Sequence, residues 1–207
     1  MARGVYRALG LTLIELLVVI AILAGLASLL VPLLSETSVK ATTDCTRCSL
    51  TSLRDIVFGK DKLPGYLRDT GQLPLTITDL FLKPSSLQNF DRNTEKGWHG
   101  PYIQYQTGIY AVNPSTIANG FTATYGTDQD PAVVDGWGHP IVLQYPTGSG
   151  ITAAQSIRFA RLVSAGNDGV INTPVGTLYP SSSDRNDDVI LFLNRGDVPP
   201  TTAELAL

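Results

Sequence analysis

The side chains of this chain that could most readily react or bind a metal are those of two cysteines, Cys45 and Cys48, in a C-x-x-C spacing. A zinc site would need further ligands, and the sequence contains only two histidines, His99 and His139, each inside its own loop motif. A thioredoxin-like redox site would lie at a strand-to-helix turn, whereas this pair falls on a predicted polar helix. A local disulfide is also disfavoured, because three-residue helical spacing fits disulfide geometry poorly. The spacing therefore favours two unreactive thiols, or a strained bridge, over an active site.

No motif typical of an enzyme is present in the sequence. It lacks the G-x-S-x-G, H-E-x-x-H, P-loop and dinucleotide-binding patterns that position nucleophiles, metals or phosphates. A formal net charge of −3 and the lack of a basic stripe argue against general nucleic-acid binding. We therefore expect neither an enzyme nor a nucleic-acid-binding protein.

A long apolar segment occupies residues 11–34, and one acidic residue, Glu15, interrupts it near its start. As a helix, roughly 24 residues reach about 36 Å, enough to cross a hydrocarbon core of about 30 Å. Arg3 and Arg7 precede the segment, as is typical of the cytoplasmic side of a membrane span. The run is too long for a cleaved secretory signal. A plain membrane anchor leaves Glu15 unexplained, because a carboxylate near the bilayer centre costs at least a few kcal/mol.

The rest of the chain is predicted to be an amphipathic helix followed by a small sheet. Apolar residues at three- and four-residue spacing predict that the helix continues through residues 35–62, and Pro64 and Gly65 mark its end. Segments rich in β-branched or aromatic residues predict strands at 108–112, 141–145, 157–163 and 189–193. The last three predict an antiparallel meander, and residues 194–207 predict a loose coil. The predicted fold class is α+β: a long N-terminal α-helix, half transmembrane and half amphipathic, packed on a small antiparallel β-sheet.

The start of the apolar segment resembles the type IV prepilin processing site, because Gly10 is followed by Leu11-Thr12-Leu13-Ile14-Glu15-Leu16. In that family a peptidase cuts after the glycine, and the new N-terminal residue is methylated. The resemblance implies a leader of residues 1–10, cleavage between Gly10 and Leu11, and N-methylation of Leu11. Glu15 and Pro32 then fall fifth and twenty-second after the cut, where pilin-like proteins characteristically carry these residues. Leu11 departs from the phenylalanine that is commonest there.

Physical reasoning indicates why such a chain would keep Glu15. Cleavage creates an α-amine on Leu11, which is a cation in an apolar setting. When subunits pack side by side, Glu15 of one helix can neutralise the amine of its neighbour. Because a buried charge without a partner is strongly unfavourable, this pair would enforce axial register during assembly. Pro32 would kink or loosen the helix, since it lacks a backbone donor and clashes with the preceding turn.

Three loop patterns resemble the major pseudopilin of type II secretion systems. They are D-x-G-x-x-P at residues 69–74, W-x-G-P-Y at 98–102 and D-P-W-G-x-P at 135–140, with Gly136 in place of the usual proline in the third. The segment at 164–170 then resembles that family's sheet-to-loop connection. The chain is longer than the usual member, and part of the extra length falls within residues 106–133.

The same resemblance implies a calcium site in the loop at residues 167–188. Asp168, Asp187 and Asp188 match the family pattern best, and Asp184 is a further candidate ligand. Calcium prefers six to eight oxygen ligands, typically carboxylates and carbonyls of a flexible loop. The spacing of these residues alone favours a solvated acidic turn, so both interpretations stay open at this point.

These observations lead to an expected function in the class of structural subunits. The resemblance implies an inner-membrane protein with a cytoplasmic N-terminus and a periplasmic domain at residues 63–207. It would be matured by prepilin peptidase and would polymerise with its own copies, other pseudopilins and an inner-membrane assembly platform to drive protein export. A type IV or competence pilin for adhesion, motility or DNA uptake is the alternative within the superfamily. A membrane-tethered periplasmic binding or catalytic domain is the alternative outside it.

Overall fold

The computed structural model describes residues 13–60 and 63–194, apart from the side chains of residues 27 and 29–36. The predicted cleavage site at Gly10 and Leu11 and the side chain of Pro32 lie outside the described residues. The fold is α+β, as predicted, with a helix packed on small antiparallel sheets. In chain order the elements are α1 (Leu13–Phe58), β1 (Gly59–Lys60), β2 (Leu63–Pro64), α2 (Tyr66–Thr70), a 3-10 helix (Ile77–Leu80), β3 (Gly108–Ile109), α3 (Pro114–Ala118), β4 (Pro131–Ala132), β5 (Val142–Gln144), α4 (Ala153–Arg158), β6 (Arg161–Ser164), α5 (Ser182–Arg185) and β7 (Val189–Phe192).

Internal contacts divide the chain into two compact units, Met1–Ala41 and Thr42–Leu207, and α1 contributes to both. In the first unit, residues 13–26 are all exposed although most of them are apolar. Helical backbone continues through Pro32 without interruption. Within the part of the chain that the structure describes, no helix combines the length and the apolar character needed to cross a membrane.

The long helix ends earlier than predicted, at Phe58 rather than near residue 62. Gly59 follows with a φ of 87°, a left-handed conformation that glycine adopts without steric cost. The chain then reverses, and β1 pairs with β2 as a short antiparallel hairpin. The Pro64–Gly65 signal therefore marks the return strand of this hairpin rather than the end of the helix.

The predicted meander is confirmed, because β5, β6 and β7 form a three-stranded antiparallel sheet in that order. Leu162 at the centre of β6 pairs with Leu143 on one side and Leu191 on the other. The strand predicted at 157–163 begins only at Arg161, because a capping box at Thr152 starts helix α4 upstream of it. The strand predicted at 108–112 shortens to β3, which pairs with β4.

One face of the three-stranded sheet packs against α1. Successive residues of a strand point to opposite faces, so alternate positions of each strand share one environment. Leu143, Leu162 and Leu191 share a buried cluster with Leu50 and Leu53 of the helix. The amphipathic half of α1 therefore forms one of the two layers that enclose the sheet.

The second face of the sheet is covered by the extra segment at residues 106–133. Val142, Val163 and Phe192 point to this face, one from each strand of the sheet. They form a second buried cluster with side chains contributed by the extra segment, namely Tyr110, Phe121, Tyr125 and Ala132. The segment is thus a core layer of the fold rather than a surface decoration.

This arrangement predicts that Phe121→Ala destabilises the chain by about 3–4 kcal/mol, because it empties a buried aromatic site. Phe121 is 5% exposed, and its ring lies 6.2 Å from that of Tyr110 in an edge-to-face contact. The control is Ile117→Ala in the same segment, where the side chain is 49% exposed, and it should cost less than about 0.5 kcal/mol. Urea unfolding measures both free energies, and equal effects would contradict a core role for the segment.

Candidate functional site

The residues predicted to act in assembly lie on α1. Glu15 occupies the first turn of the helix, among exposed apolar neighbours such as Ile14 and Leu16. Its predicted partner, the α-amine of Leu11, lies outside the described residues, and so does the side chain of Pro32. The described part of this site is therefore an acid near the start of an exposed apolar helix.

The first two loop motifs form one structural unit. The Tyr102 hydroxyl donates to Asp69 Oδ2 at 2.9 Å, which joins the D-x-G-x-x-P motif to the W-x-G-P-Y motif. The carbonyl of Asp69 also accepts from the backbone N–H of Gly97 at 2.8 Å. Asp69 is buried, so its carboxylate serves to hold the two loops together.

The third motif is organised around the buried carboxylate of Asp135. Its Oδ1 accepts from the backbone N–H groups of Trp137 and His139, both at 2.9 Å. Its Oδ2 accepts from the Ser164 hydroxyl at 2.6 Å, which fastens the loop to the end of β6. His139 Nδ1 lies 3.0 Å from the carbonyl oxygen of Gly166, which directly precedes the acidic loop at residues 167–188. The motif therefore positions the loop that carries the predicted calcium ligands.

Glycine at position 136 has a structural reason. The Gly136 N–H donates to Thr46 Oγ1 on α1 at 3.0 Å, and Thr46 is fully buried. Proline, the usual residue of this motif, has no N–H to donate. A Cβ at position 136 would also collide with Thr42. The loop therefore approaches the helix more closely here than a side chain at this position would permit.

Two of the predicted calcium ligands, Asp168 and Asp187, meet at the mouth of the acidic loop. Asp187 Oδ2 accepts from the backbone N–H groups of Asn167 and Asp168 at 2.7 and 3.0 Å. Asp168 Oδ2 accepts from the side-chain amides of Asn172 and Asn186 at 3.2 and 3.1 Å. The two carboxylates thus tie the two ends of the loop to each other.

Asp188 differs from these residues because it is buried, with 5% of its surface exposed. Its Oδ2 accepts from the backbone N–H groups of Asn172 and Thr173 and from the Thr173 hydroxyl, at 2.9, 2.6 and 2.6 Å. Among the described residues, its Oδ1 is buried without a hydrogen-bond partner. Burial raises the pKa of Asp188 to about 6, against the lowering effect of these hydrogen bonds. The unsatisfied oxygen is the position at which a cation or a proton would be favourable.

The remaining candidate ligand, Asp184, faces its own short helix instead. Its Oδ2 accepts from the Ser181 hydroxyl and backbone N–H at 2.7 and 2.8 Å. These two hydrogen bonds lower the pKa of Asp184, and the one from the Ser181 side chain has the larger effect. In the described part of the chain, no three Asp, Glu, His or Cys side chains gather closely enough to form a metal-ligand group. Asp168, Asp187 and Asp188 therefore contribute carboxylates to one loop but do not form a complete coordination shell.

A polar cavity of about 390 Å³ adjoins Asp187 and Asp188. Arg47 of α1 and Arg185 of the acidic loop also line this cavity. Two cations beside the carboxylates lower the attraction of the cavity for a metal ion. Charge therefore favours the Asp168 side of the loop over the cavity as the place for a cation.

Sequence reasoning missed Arg161, a residue of β6 whose guanidinium holds the acidic loop through hydrogen bonds to its backbone. This residue is fully buried, and its guanidinium donates to Gln144 Oε1 at 2.7 Å and to the carbonyls of Pro174, Thr177 and Leu178 at 2.8, 2.9 and 3.2 Å. Burial lowers the pKa of Arg161 to about 10. A signal was present in the sequence, since an arginine inside an otherwise apolar strand implies buried acceptors.

Comparison of the chain with known protein families, with curated proteins and with solved structures finds no match.

The raised pKa of Asp188 predicts a specific pH dependence. With a folded pKa near 6 and an unfolded value of about 3.9, the protonated carboxyl favours folding below about pH 4, and this contribution is lost as the pH rises to about 6. In metal-free buffer, Asp188→Asn should therefore gain about 1–2 kcal/mol relative to the parent chain between pH 4 and pH 7. Chemical denaturation at a series of pH values measures this difference.

The matched control for this prediction is Asp184→Asn. Because the pKa of Asp184 is lowered, its ionised form favours folding, so this variant should lose stability relative to the parent chain as the pH rises. Two variants with the same pH profile, or a pH-independent effect of Asp188→Asn, would show that burial does not control the Asp188 carboxyl.

Proposed function

We propose that this chain is a filament-forming subunit of the pilin-like class, with loop motifs that resemble those of the major pseudopilin of type II secretion. In this proposal a peptidase removes residues 1–10, Leu11 becomes the methylated N-terminus, and residues 11–34 hold the subunit in the inner membrane until it assembles. A cytoplasmic ATPase, which is a different protein, would drive polymerisation. The growing fibre would push exported proteins through an outer-membrane channel.

The observation that carries this proposal is the exposure of residues 13–26. Large apolar side chains there have more than 40% of their surface exposed on a single helix, including Leu13 at 83% and Ile14 at 71%. A helix that is apolar on all sides is stable only when lipid or other helices cover it. Lipid before assembly and neighbouring copies afterwards would supply that cover in turn.

Glu15 supports assembly over simple anchoring. In a plain anchor, a carboxylate one turn inside the apolar segment would only add an insertion cost, which rises toward the bilayer centre. In a bundle of identical helices it would lie against the positive N-terminus of a neighbour. Removing one member of a buried ion pair costs about 3–5 kcal/mol, which is enough to select one register over others.

The second unit supports the same proposal through its arrangement. The buried residues of α1 in this unit, such as Leu50 and Leu53, face the sheet, and the hydrogen bond from Gly136 to Thr46 holds the third motif loop to the helix. A compact domain with its own buried core is what an outer filament layer requires.

We further propose that calcium stabilises the acidic loop through Asp168, Asp187 and Asp188. The buried, unsatisfied Oδ1 of Asp188 supports this assignment, and so do the carboxylates of Asp168 and Asp187, which both accept from the side-chain amide of Asn186. Loop carbonyls and water would complete the six to eight oxygen ligands that calcium prefers. Asp184 remains a candidate only if the loop rearranges, because its carboxylate caps α5. The ion would supply charge compensation for the three carboxylates.

The assembly role predicts that Glu15→Ala gives a stable membrane protein that enters filaments poorly, with a reduction of more than about tenfold. The physical reason is that the neighbour's buried amine loses its counter-ion. Shearing cells and quantifying the sheared and cell-bound fractions by immunoblot measures the effect.

Ser28→Ala is the control for Glu15→Ala, because the Ser28 hydroxyl donates to the carbonyl of Gly25 within its own helix at 2.7 Å. This variant should assemble normally. Efficient incorporation of Glu15→Ala alongside it would count against the assembly mechanism.

The calcium assignment predicts that EGTA lowers the melting temperature of the purified full chain. At a calcium concentration about 100 times the dissociation constant, the ion adds about 2.7 kcal/mol, which corresponds to a shift of a few degrees for a chain of this size. Differential scanning calorimetry with calcium, magnesium or chelator measures the shift. Asp168→Asn should abolish the response, and an unchanged transition of the parent chain in EGTA would refute the assignment.

A further inference from the structure

The exposed side of α1 in the second unit carries two free cysteines, Cys45 and Cys48. Thr46 and Leu50, on the opposite side of the helix, are buried. Ser52, one turn further along, is exposed like the two cysteines. The thiols therefore lie on the solvent side of a helix that is fixed to the domain by its other side.

Helix geometry argues against a disulfide between these two residues. In an ideal α-helix, positions three apart have Cα atoms about 5 Å apart and Cβ atoms about 5.6 Å apart. A disulfide needs Cβ atoms about 3.5–4.5 Å apart, so the bond would require a shift of more than about 1 Å in the helix. That shift would fall on Thr46, whose contacts to Thr42 and Gly136 hold a motif loop.

The same spacing fits a pair of metal-bound thiolates. Zinc–sulfur bonds of about 2.3 Å in a tetrahedral site place two sulfur atoms about 3.8 Å apart. Two cysteine side chains whose Cβ atoms lie about 5.6 Å apart reach that separation by choice of rotamer, without moving the backbone. Each thiol releases its proton to solvent when it binds the ion, and no redox step is involved.

We propose that Cys45 and Cys48 form half of a tetrahedral zinc-type site, and that the same two cysteines of a second copy of this chain form the other half. A structural zinc site needs four protein ligands, and the chain supplies two at this position. Among the described residues no third ligand lies near them. His99 lies against the ring of Phe90, with ring centroids 4.4 Å apart, and His139 contacts the carbonyl of Gly166.

The surface around the thiols suits the approach of a second helix. Cys45, Cys48 and Ser52 have the alternating three- and four-residue spacing of a coiled-coil seam. All three side chains are small, so two helix backbones can come close along this line. Two such seams in parallel would bring four sulfur atoms around one ion. This site involves neither Glu15 nor the acidic loop, so it does not depend on the proposed function.

The test is a titration of the reduced, purified full chain with Co²⁺, a spectroscopic probe for tetrahedral thiolate sites, followed by displacement with Zn²⁺. We expect intense visible absorption that saturates at one ion per two chains, together with a change from monomer to dimer in analytical ultracentrifugation. Cys45→Ser and Cys48→Ser should each lower the affinity by about 100-fold or more and prevent the metal-dependent dimer. Ser52→Ala, on the same seam, should leave the binding unchanged.

Three results would overturn the proposal. They are absence of a tetrahedral Co²⁺ spectrum, saturation at one ion per chain without dimerisation, and unchanged binding in both cysteine variants. Formation of a Cys45–Cys48 disulfide in the folded chain, detected as a mass loss of two hydrogens without reductant, would contradict the geometric argument itself.

Discussion

The three-stranded sheet must bury both of its faces, and this constraint determines how the rest of the second unit is arranged. A sheet of three short strands contributes too little apolar surface to fold alone, so it needs a layer on each side. Helix α1 covers one face, and the segment at residues 106–133 covers the other. Because both layers are fixed to the same strands, the loops that leave the strand ends start from defined positions.

The acidic loop between β6 and β7 depends on this frame through two buried charged residues. Arg161 donates to three carbonyls in the middle of the loop, and Asp188 accepts from Asn172 and Thr173 near its beginning. Each group carries the cost of burial and meets mainly neutral partners, which lowers the pKa of Arg161 and raises that of Asp188. A cation bound beside Asp188 would relieve one of these costs. Binding of a cation at this loop would therefore increase the free energy of unfolding.

Much of the fold follows from pattern alone, because hydrophobic periodicity reports burial directly. The long helix, the meander and the α+β class are predictable because alternating strand residues and helical spacing are set by the same cores. The prediction failed at two positions because of local backbone signals. Gly59 turns the chain before residue 62, so the helix ends early. The cap at Thr152 begins α4, which replaces the first half of a predicted strand. The role of residues 106–133 was not predictable, since covering the second face is a property of the folded sheet.

The candidate sites show the same division. Spacing identified the acidic residues, but only the fold distinguishes Asp188, buried with an unsatisfied oxygen, from Asp184, which caps α5. Residue spacing does not reveal the role of Arg161 either, because three of its four acceptors are backbone carbonyls. Conversely, Gly136 departs from the proline that is usual in this motif, and its hydrogen bond to Thr46 provides the physical reason.

In the proposed assembly, a cut after Gly10 creates the positive charge that Glu15 neutralises in a neighbouring subunit. Co-expression with a prepilin peptidase, followed by intact mass measurement of the purified chain, tests it most directly. We expect a mature chain that lacks residues 1–10 and carries one added methyl group on Leu11. A chain that keeps Met1 and its full mass in the presence of active peptidase would contradict the account.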